Sequence, residues 1–126
     1  MRNKVLTVLI AAVAFVLLTV PAFAHHGNAS YDGGTLTIKG TVTEWLWANP
    51  HTFLKLDVTD ENGKVTHWIC ENQAPSTLVN FGFTPKTFKP GDVVTVVLGA
   101  RSKTLPVGRI SKVILANGFV MNSEVR

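Results

Sequence analysis

Four histidines have the clearest capacity for chemistry in this chain: His25, His26, His51 and His67. The first two are adjacent, and imidazole is the commonest metal ligand among protein side chains. If the chain is cleaved after Ala24, His25 becomes the first residue, and its α-amino nitrogen joins two imidazoles at a chain end. Such a nitrogen set occurs in the T-shaped copper site called a histidine brace, and nitrogen-rich tetragonal coordination suits copper(II). The pair predicts a metal-binding terminus; the alternative is a solvated polar stretch after a cleavage site.

The segment before the histidines has the composition of a secretory signal peptide. Arg2 and Lys4 precede an apolar run over residues 5–20, and Ala22-Phe23-Ala24 places small residues at the positions that signal peptidase recognises. An uncleaved anchor is the alternative, because about 17 to 25 apolar residues can span a bilayer. Pro21 and the Ala-x-Ala site favour cleavage. We therefore expect residues 1–24 to be removed, leaving a periplasmic or secreted bacterial protein with no stable membrane anchor.

Other side chains are candidates to complete a metal site with His25 and His26. Two adjacent imidazoles seldom close on one ion without strain, so a third group is needed. His51 is our first choice, because it follows a kinking proline and begins a strand at a predicted barrel rim. Glu71 and Asp32 are candidate carboxylate ligands or partners of the imidazoles, and surface solvation is their alternative role. Copper is the favoured metal, and zinc is the second choice.

The role of His67 depends on the register of its strand. One register turns His67 towards the core, and the other turns Trp68 and Cys70 inward and leaves His67 on the face that carries His51 and Glu71. A slip of one residue moves every side chain to the opposite face. We favour the second register because it buries the larger indole side chain.

Length and composition limit the remaining possibilities. About 100 residues follow the leader, which is enough for one small domain. After Arg2 and Lys4 are set aside, ten basic residues face eight acidic ones, and they are scattered, so we expect no nucleic-acid partner. Cys70 is the only cysteine, so it forms no intrachain disulfide. We expect it to be buried, with metal ligation or a mixed disulfide as alternatives.

The apolar pattern predicts mainly β structure. Alternation of apolar and polar residues indicates strands, Asn62-Gly63 indicates a hairpin turn, and Gly40 marks a bend or bulge in a long first strand. In chain order we predict strands at 35–48, from 51 to the turn at 60–63, and at 64–71, a helix at 74–81, strands at 93–98 and 109–115, and a brief pairing at 119–121. This is the order of a small five-stranded OB-like barrel with one short helix between strands 3 and 4.

The predicted organisation of the chain has four parts. The signal peptide is followed by an extended, glycine-containing N-terminal arm, residues 25–34. Residues 35–121 form the barrel domain, and residues 122–126 form a frayed tail.

Aromatic residues are numerous for a domain of this size. Filling the core is their ordinary role, and the alternative is a stacking surface for a flat ligand, with Trp45, Trp47 and Phe53 as candidates. No motif that pairs a nucleophile with a base and no phosphate-binding glycine loop is present, so we do not expect an enzyme.

Short segments spread over nearly the whole mature chain form a recognisable combination: Ala24-His25-His26, Tyr31-Asp32, Gly40-Thr41-Val42-Thr43-Glu44, Trp47-Ala48-Asn49-Pro50-His51, Asp60-Glu61-Asn62-Gly63-Lys64, Trp68-Ile69-Cys70-Glu71, Pro75, Leu78, Gly82 and Lys89-Pro90-Gly91-Asp92. With the leader, they resemble a family of short exported bacterial proteins of unknown function. The Asn-Pro-His segment is the most specific part. The resemblance implies export and a small β-barrel, and it favours His25, His26 and His51 over His67 as functional residues. It implies no mechanism.

Two functions remain open at this point. The first is an exported barrel that binds a transition metal, copper before zinc, through the His25 amine and imidazole, His26 and His51, with Glu71 or Asp32 assisting. The second is a metal-free OB-like module that binds a small molecule, an envelope glycan or an envelope protein partner. That module would use its aromatic face and the loop at residues 49–51.

Overall fold

Six β-strands and one short helical segment make up residues 31–124, the part of the chain that this computed structural model describes. In chain order they are β1 (Leu36–Leu46), β2 (Phe53–Thr59), β3 (Val65–Glu71), α1 (Pro75–Leu78) with a 3-10 turn (Val79–Phe81), β4 (Val93–Arg101), β5 (Val107–Leu115) and β6 (Val120–Asn122). Every predicted element is present, and the differences lie at the element ends.

The strands close into a barrel. The order in the sheet is β3-β2-β1-β4-β5-β6, and an additional parallel pairing of β3 with β5 joins the two sides. Five strands therefore form the closed wall, and β6 adds to β5 outside it. The helical segment of seven residues lies between β3 and β4. The predicted fold, a mainly β, five-stranded OB-like barrel with one short helix after the third strand, is confirmed.

The first strand serves both halves of the barrel. Its beginning pairs with β4 and its end pairs with β2, with Thr41 at the change. The register shifts between Val42 and Glu44, so the bulge lies beyond Gly40, where we expected a bend or bulge. Gly40 has another role: a Cβ there would lie 2.7 Å from the carbonyl oxygen of Asp57. The two strands approach closely because this position has no side chain.

The inner face of the barrel is apolar and tightly closed. Strand alternation places one set of side chains inside. The helical segment adds Leu78, and the loop after it adds Phe83 and Phe88. The fully or almost fully buried members are Ile38, Val42, Leu54, Leu56, Cys70, Leu78, Phe83, Phe88, Val94, Val96, Leu98, Ile110, Val113 and Met121.

The register of β2 with β3 is the one that we favoured. Leu54 lies opposite Cys70, and Leu56 lies opposite Trp68, so the thiol and the indole face the core side. His67 lies opposite Asp57 on the outer face. The larger apolar groups determine which face of β3 is buried.

Residues at both ends of the described chain contact the barrel, including some that we assigned to the arm and to the tail. Gly33 pairs with Arg101 through two backbone hydrogen bonds of 2.7 and 3.3 Å, so part of the predicted arm lies against the barrel. At the other end, β6 includes Asn122, and Ser123 is buried with its N–H donating to the Ser111 carbonyl oxygen. Residues 122 and 123 therefore belong to the folded domain.

Within residues 31–124, no helix combines the length and the apolar character needed to cross a membrane.

The close approach at Gly40 can be tested with a matched glycine. We expect Gly40→Ala to lower the free energy of unfolding by about 1–3 kcal/mol, because the added methyl group must displace the Asp57 backbone. Gly34→Ala is the control, since a Cβ there has no neighbour within 4 Å. Urea unfolding followed by tryptophan fluorescence measures both, and equal stability of the two variants would contradict the interpretation.

Candidate functional site

Glu71 is the centre of a cluster of polar side chains on the outside of the barrel. It is the last residue of β3, and it lies between Phe53 of β2 and Arg109 of β5. Because Cys70 points into the core, Glu71 points to the outer face. Its side chain is only 15% exposed, which is low for a carboxylate. A carboxylate held in this way requires hydrogen-bond donors.

The first donor is His51, whose Nδ1 contacts Oε1 of Glu71. The loop that carries His51 is fixed by its neighbour Thr52, which is fully buried. The Thr52 N–H and hydroxyl both donate to the Gln73 carbonyl oxygen, at 3.2 and 3.0 Å, and the Asn72 N–H donates to the Thr52 carbonyl oxygen at 2.8 Å. These bonds attach the loop to the chain just after β3. β2 begins at Phe53, whereas we predicted a strand from residue 51.

The second donor is Tyr31, whose hydroxyl group donates to Oε2 of Glu71. Burial raises the pKa of the Tyr31 hydroxyl, and the hydrogen bond to Glu71 and the negative charge of that carboxylate raise it further. The hydroxyl therefore stays protonated and remains a donor. The Arg109 guanidinium carbon lies 5.2 Å from the centre of the Tyr31 ring, a cation–π distance that also fixes the ring.

These contacts determine which nitrogen of His51 is available. An ionised carboxylate only accepts hydrogen bonds, so the proton of the neutral His51 imidazole lies on Nδ1 and the lone pair on Nε2. Metal-binding histidines commonly donate one ring N–H to a carboxylate while the other nitrogen binds the metal. The His51 side chain is 45% exposed. The imidazole is thus oriented by the protein and accessible from solvent.

Residues 31–33, which we call the strap, attach to the barrel at several points. The Lys103 N–H donates to Asp32 Oδ1 at 3.0 Å, and this bond is the main cause of the lowered pKa of that carboxyl group. Lys103 Nζ lies 3.8 Å from the other oxygen. A Cβ on Gly33 would lie 2.9 Å from the Arg101 carbonyl oxygen, so the strap lies close to β4. Asp32, predicted as an imidazole partner, is directed to Lys103, and its neighbour Tyr31 contacts Glu71.

The predicted metal ligands are brought together in part. His51 and Glu71 are in contact, whereas His25 and His26 lie outside the described residues. Across residues 31–124, no group of three or more His, Cys, Asp and Glu side chains is arranged to hold a metal ion.

The three predicted ligand-face aromatics do not form one surface. Trp45 lies opposite the buried Leu54, and its ring centre is 5.6 Å from that of Trp47 and 5.1 Å from that of Phe88. Trp45 and Trp47 both pack against the core. Phe53 precedes Leu54 in the chain, so it faces outward, next to Glu71. The aromatic residues are divided between two faces.

A second pair of a carboxylate and an imidazole lies farther along the same strands. His67 Nδ1 is 2.6 Å from Asp57 Oδ1, and these side chains are 80% and 37% exposed. The pair has the chemistry of His51 and Glu71 without their burial. It provides a natural control for experiments on the site.

Two residues of the cluster were not among the predicted site residues. Arg109 was interpreted as one of many scattered surface charges, and only its pairing position beside Glu71 reveals its role. Tyr31 belongs to the Tyr31-Asp32 segment of the resemblance, which was the one available signal.

The buried thiol gives a prediction for this region. Burial raises the pKa of the Cys70 thiol to about 12, so the thiol is protonated and enclosed at neutral pH. Because the thiolate is the reactive form, we expect the folded protein to react with Ellman's reagent far more slowly than the urea-unfolded protein. Rapid stoichiometric labelling of the folded protein would contradict the burial of Cys70.

Comparison with known proteins places the chain in a family without an assigned activity. Neither the curated proteins nor the solved structures include a match. The model of one family, described as a family of unknown function, DUF6152, matches residues 13–107. This range covers well over half of the chain and includes Tyr31, His51 and Glu71. The chain therefore belongs to the DUF6152 family of proteins of unknown function.

Proposed function

We propose that this protein binds a transition metal ion, copper(II) before zinc(II), through His51 and the N-terminal histidines. The ligands in this proposal are Nε2 of His51, the α-amino and imidazole nitrogens of His25, and the imidazole of His26. The observation that carries the proposal is the contact of His51 Nδ1 with Glu71, which leaves Nε2 with the lone pair.

In this proposal Glu71 is a partner of the His51 imidazole and not a metal ligand; the sequence had left both roles open. Both of its oxygens already have partners, His51 on Oε1 and Tyr31 on Oε2. We therefore assign Glu71 to the orientation of the imidazole rather than to the metal itself. A carboxylate in this position also increases the basicity of the ligand nitrogen, and its replacement typically costs about 10- to 100-fold in metal affinity.

The strap supports the participation of the N-terminal histidines. Tyr31 is bound to the same carboxylate as His51, and His26 and His25 precede Tyr31 by five and six residues. An extended chain covers at most about 3.6 Å per residue, which gives a reach of about 18 Å for His26. Because the strap is attached beside His51 through Tyr31, both N-terminal histidines have enough chain to reach His51.

The choice of metal follows from the available ligand atoms. Cys70 is buried and protonated, and Met121 is buried, so the sulfur atoms of residues 31–124 are enclosed in the core. The proposed donor atoms are the nitrogens of the three histidines. Nitrogen ligands suit copper(II) and zinc(II), and copper(II) binds most tightly among the divalent first-row metals at a given site of this kind.

Export and processing are part of the same proposal. The α-amino ligand exists only if the chain is cut after Ala24, as the basic start, the apolar run and the Ala-x-Ala site indicate. The proposed location is the periplasm or the outside of the cell.

Calorimetric titration of copper(II) into protein that begins at His25, with glycine as a competing chelator, tests the site. We expect one ion per chain, and we expect His51→Ala to weaken binding by at least about tenfold, because one fixed imidazole is lost. His67→Ala is the matched control and should bind as the wild type does, because His67 belongs to the separate pair with Asp57.

The same titration identifies the outcome that would contradict the proposal. If the wild-type protein binds copper no better than a short peptide that begins His-His, the barrel contributes nothing. If His51→Ala and His67→Ala weaken binding equally, the metal is held by scattered surface imidazoles. In either case the outward-facing Phe53 and the loop at residues 49–51 become the place to look for a metal-free ligand.

The contribution of the terminal amine has a separate test. A protein whose α-amino group at His25 is selectively acetylated keeps every side chain but carries an amide nitrogen in place of the amine. We expect its copper(II) affinity to fall by about tenfold or more, because a neutral amide nitrogen is a poor ligand compared with an amine. Protein taken through the same steps without the acetylating reagent is the control. Equal affinity of the acetylated and untreated proteins would remove the amine from the site.

A further inference from the structure

We infer that Asn62 is a site of spontaneous deamidation, in which its side-chain amide is lost as ammonia and an aspartyl or isoaspartyl residue takes its place. Asn62 is exposed in the turn between β2 and β3, and Gly63 follows it. The opposite ends of these two strands carry Phe53 and Glu71, so the turn lies apart from the cluster around His51. The inference therefore does not depend on the proposed function.

The reaction at Asn62 needs only the chain itself and water. The backbone nitrogen of Gly63 loses its proton and attacks Cγ of Asn62, which forms a carbon–nitrogen bond and expels the amide nitrogen; that nitrogen takes up a proton and leaves as ammonia. Water then opens the resulting succinimide ring at either carbonyl group, which gives aspartate or isoaspartate. Asparagine is one of the thermolabile residues. A following glycine favours the attack, because it has no Cβ to hinder the approach.

A second turn in the chain is a closely matched control. It joins β5 to β6 and contains Asn117 and Gly118. In both turns the glycine has a positive φ, 81° at Gly63 and 86° at Gly118, and its N–H donates to the carbonyl oxygen three residues earlier, at 3.0 and 2.9 Å. Both asparagines are exposed, and a Cβ on either glycine would have no neighbour within 4 Å. The two turns are therefore alike in backbone conformation and in access to solvent.

The two turns differ in what holds the asparagine side chain. Asn117 Oδ1 accepts a hydrogen bond of 3.0 Å from the Phe119 N–H. In the turn between β2 and β3 the corresponding N–H, that of Lys64, donates to Asp60 Oδ1 at 2.9 Å. The same carboxylate oxygen accepts from the Asn62 N–H, also at 2.9 Å. Among the described residues 31–124, the side-chain amide of Asn62 therefore has no hydrogen-bond partner.

The Asp60 carboxylate is thus the group that leaves the Asn62 amide free to react. The matched turn has Leu115 in the corresponding position, and a leucine side chain accepts no hydrogen bond, so the Phe119 N–H bonds the asparagine instead. That bond must break before Cγ of Asn117 can turn to the glycine nitrogen. We expect this difference to make Asn62 react about 2- to 10-fold faster than Asn117, the factor that corresponds to one such hydrogen bond.

The modification changes the tip of the hairpin. A carboxylate at position 62 adjoins those of Asp60 and Glu61, and like charges repel one another. An isoaspartyl link also lengthens the backbone by one methylene group, which displaces the Gly63 N–H from the Asp60 carbonyl oxygen that it bonds. Deamidation therefore loosens the turn that connects β2 to β3.

The experiment follows both asparagines in one sample of the folded protein, kept at mildly alkaline pH so that more of the attacking nitrogen is deprotonated. Peptide mass spectrometry measures the deamidated fraction at Asn62 and at Asn117 over time. Incubation in heavy-oxygen water shows whether the entering oxygen comes from solvent, as the succinimide route requires. A second sample in concentrated urea removes the turn geometry and measures the intrinsic rates of the two Asn-Gly sequences.

Two variants test the role of the Asp60 carboxylate. Asp60→Leu reproduces the residue of the matched turn and leaves the Lys64 N–H to Asn62 Oδ1, so the deamidation rate of Asn62 should fall to about that of Asn117. Asp60→Asn keeps a side-chain oxygen that can accept, and it should keep the wild-type rate. Circular dichroism reports the fold of each variant, and the comparison of the two sites within the wild type needs no variant.

The expected result is faster loss of the Asn62 amide in the folded wild-type protein and similar rates at the two sites in urea. Equal rates at Asn62 and Asn117 in the folded protein, or a faster reaction at Asn117, would overturn the inference. An Asn62 that reacts in urea but stays intact in the folded protein would also overturn it. Equal Asn62 rates in folded Asp60→Leu and Asp60→Asn would remove Asp60 from the explanation.

Discussion

The parallel pairing of β3 with β5 is the contact on which both the core and the candidate site depend. Three residue pairs make it, and the middle pair, Cys70 with Gly108, fills the interior at the point of closure. Only glycine fits at position 108, because a Cβ would lie 2.7 Å from a methyl carbon of Leu98 and 2.9 Å from the Ala100 carbonyl oxygen. The last pair sets Glu71 beside Arg109 on the outside. The closure that completes the barrel therefore also places the central carboxylate of the site.

The environment of that carboxylate distinguishes the site from the rest of the surface. Two similar pairs lie on the outer face of β2 and β3, but the carboxylate of Glu71 is 15% exposed and that of Asp57 is 37% exposed. The exposure of the imidazoles differs in the same direction, since the His51 side chain is 45% exposed and the His67 side chain is 80% exposed. An exposed pair gains little free energy and reorients easily, whereas a group enclosed by several partners holds one geometry. Of the two pairs, the enclosed one therefore holds its imidazole in the more fixed direction.

The fold was predictable from the sequence because its signals are local. Alternation of apolar residues, the Asn62-Gly63 turn, and the positions of Pro75 and Gly82 each depend on a few neighbouring residues, and each element was found. The site was predictable only in part. Glu71 and His51 could be placed on one face by strand register, but Tyr31 and Arg109 join them through the strap and the closure of β3 on β5, contacts between distant segments that no local pattern encodes.

Trp45 and Phe53 lie on opposite faces of the barrel wall for one physical reason. With unbroken alternation from Ile38 and Val42, both buried, Trp45 would point outward on the same side as Phe53. The bulge between Val42 and Glu44 adds one residue and reverses that parity, so Trp45 lies opposite Leu54 and packs, partly buried, against the core.

The bulge also determines which side chains lie side by side on the outer face. Beyond it, Leu46, Phe53 and Glu71 lie side by side across three strands, so the carboxylate has apolar neighbours on the β2 side and Arg109 on the other. Apolar neighbours limit the access of water to Glu71 and strengthen its bonds to Tyr31 and His51, because hydrogen bonds to an ionised group are stronger where water competes less. The same residue insertion that packs Trp45 against the core thus also shapes the surroundings of the Glu71 carboxylate that contacts His51.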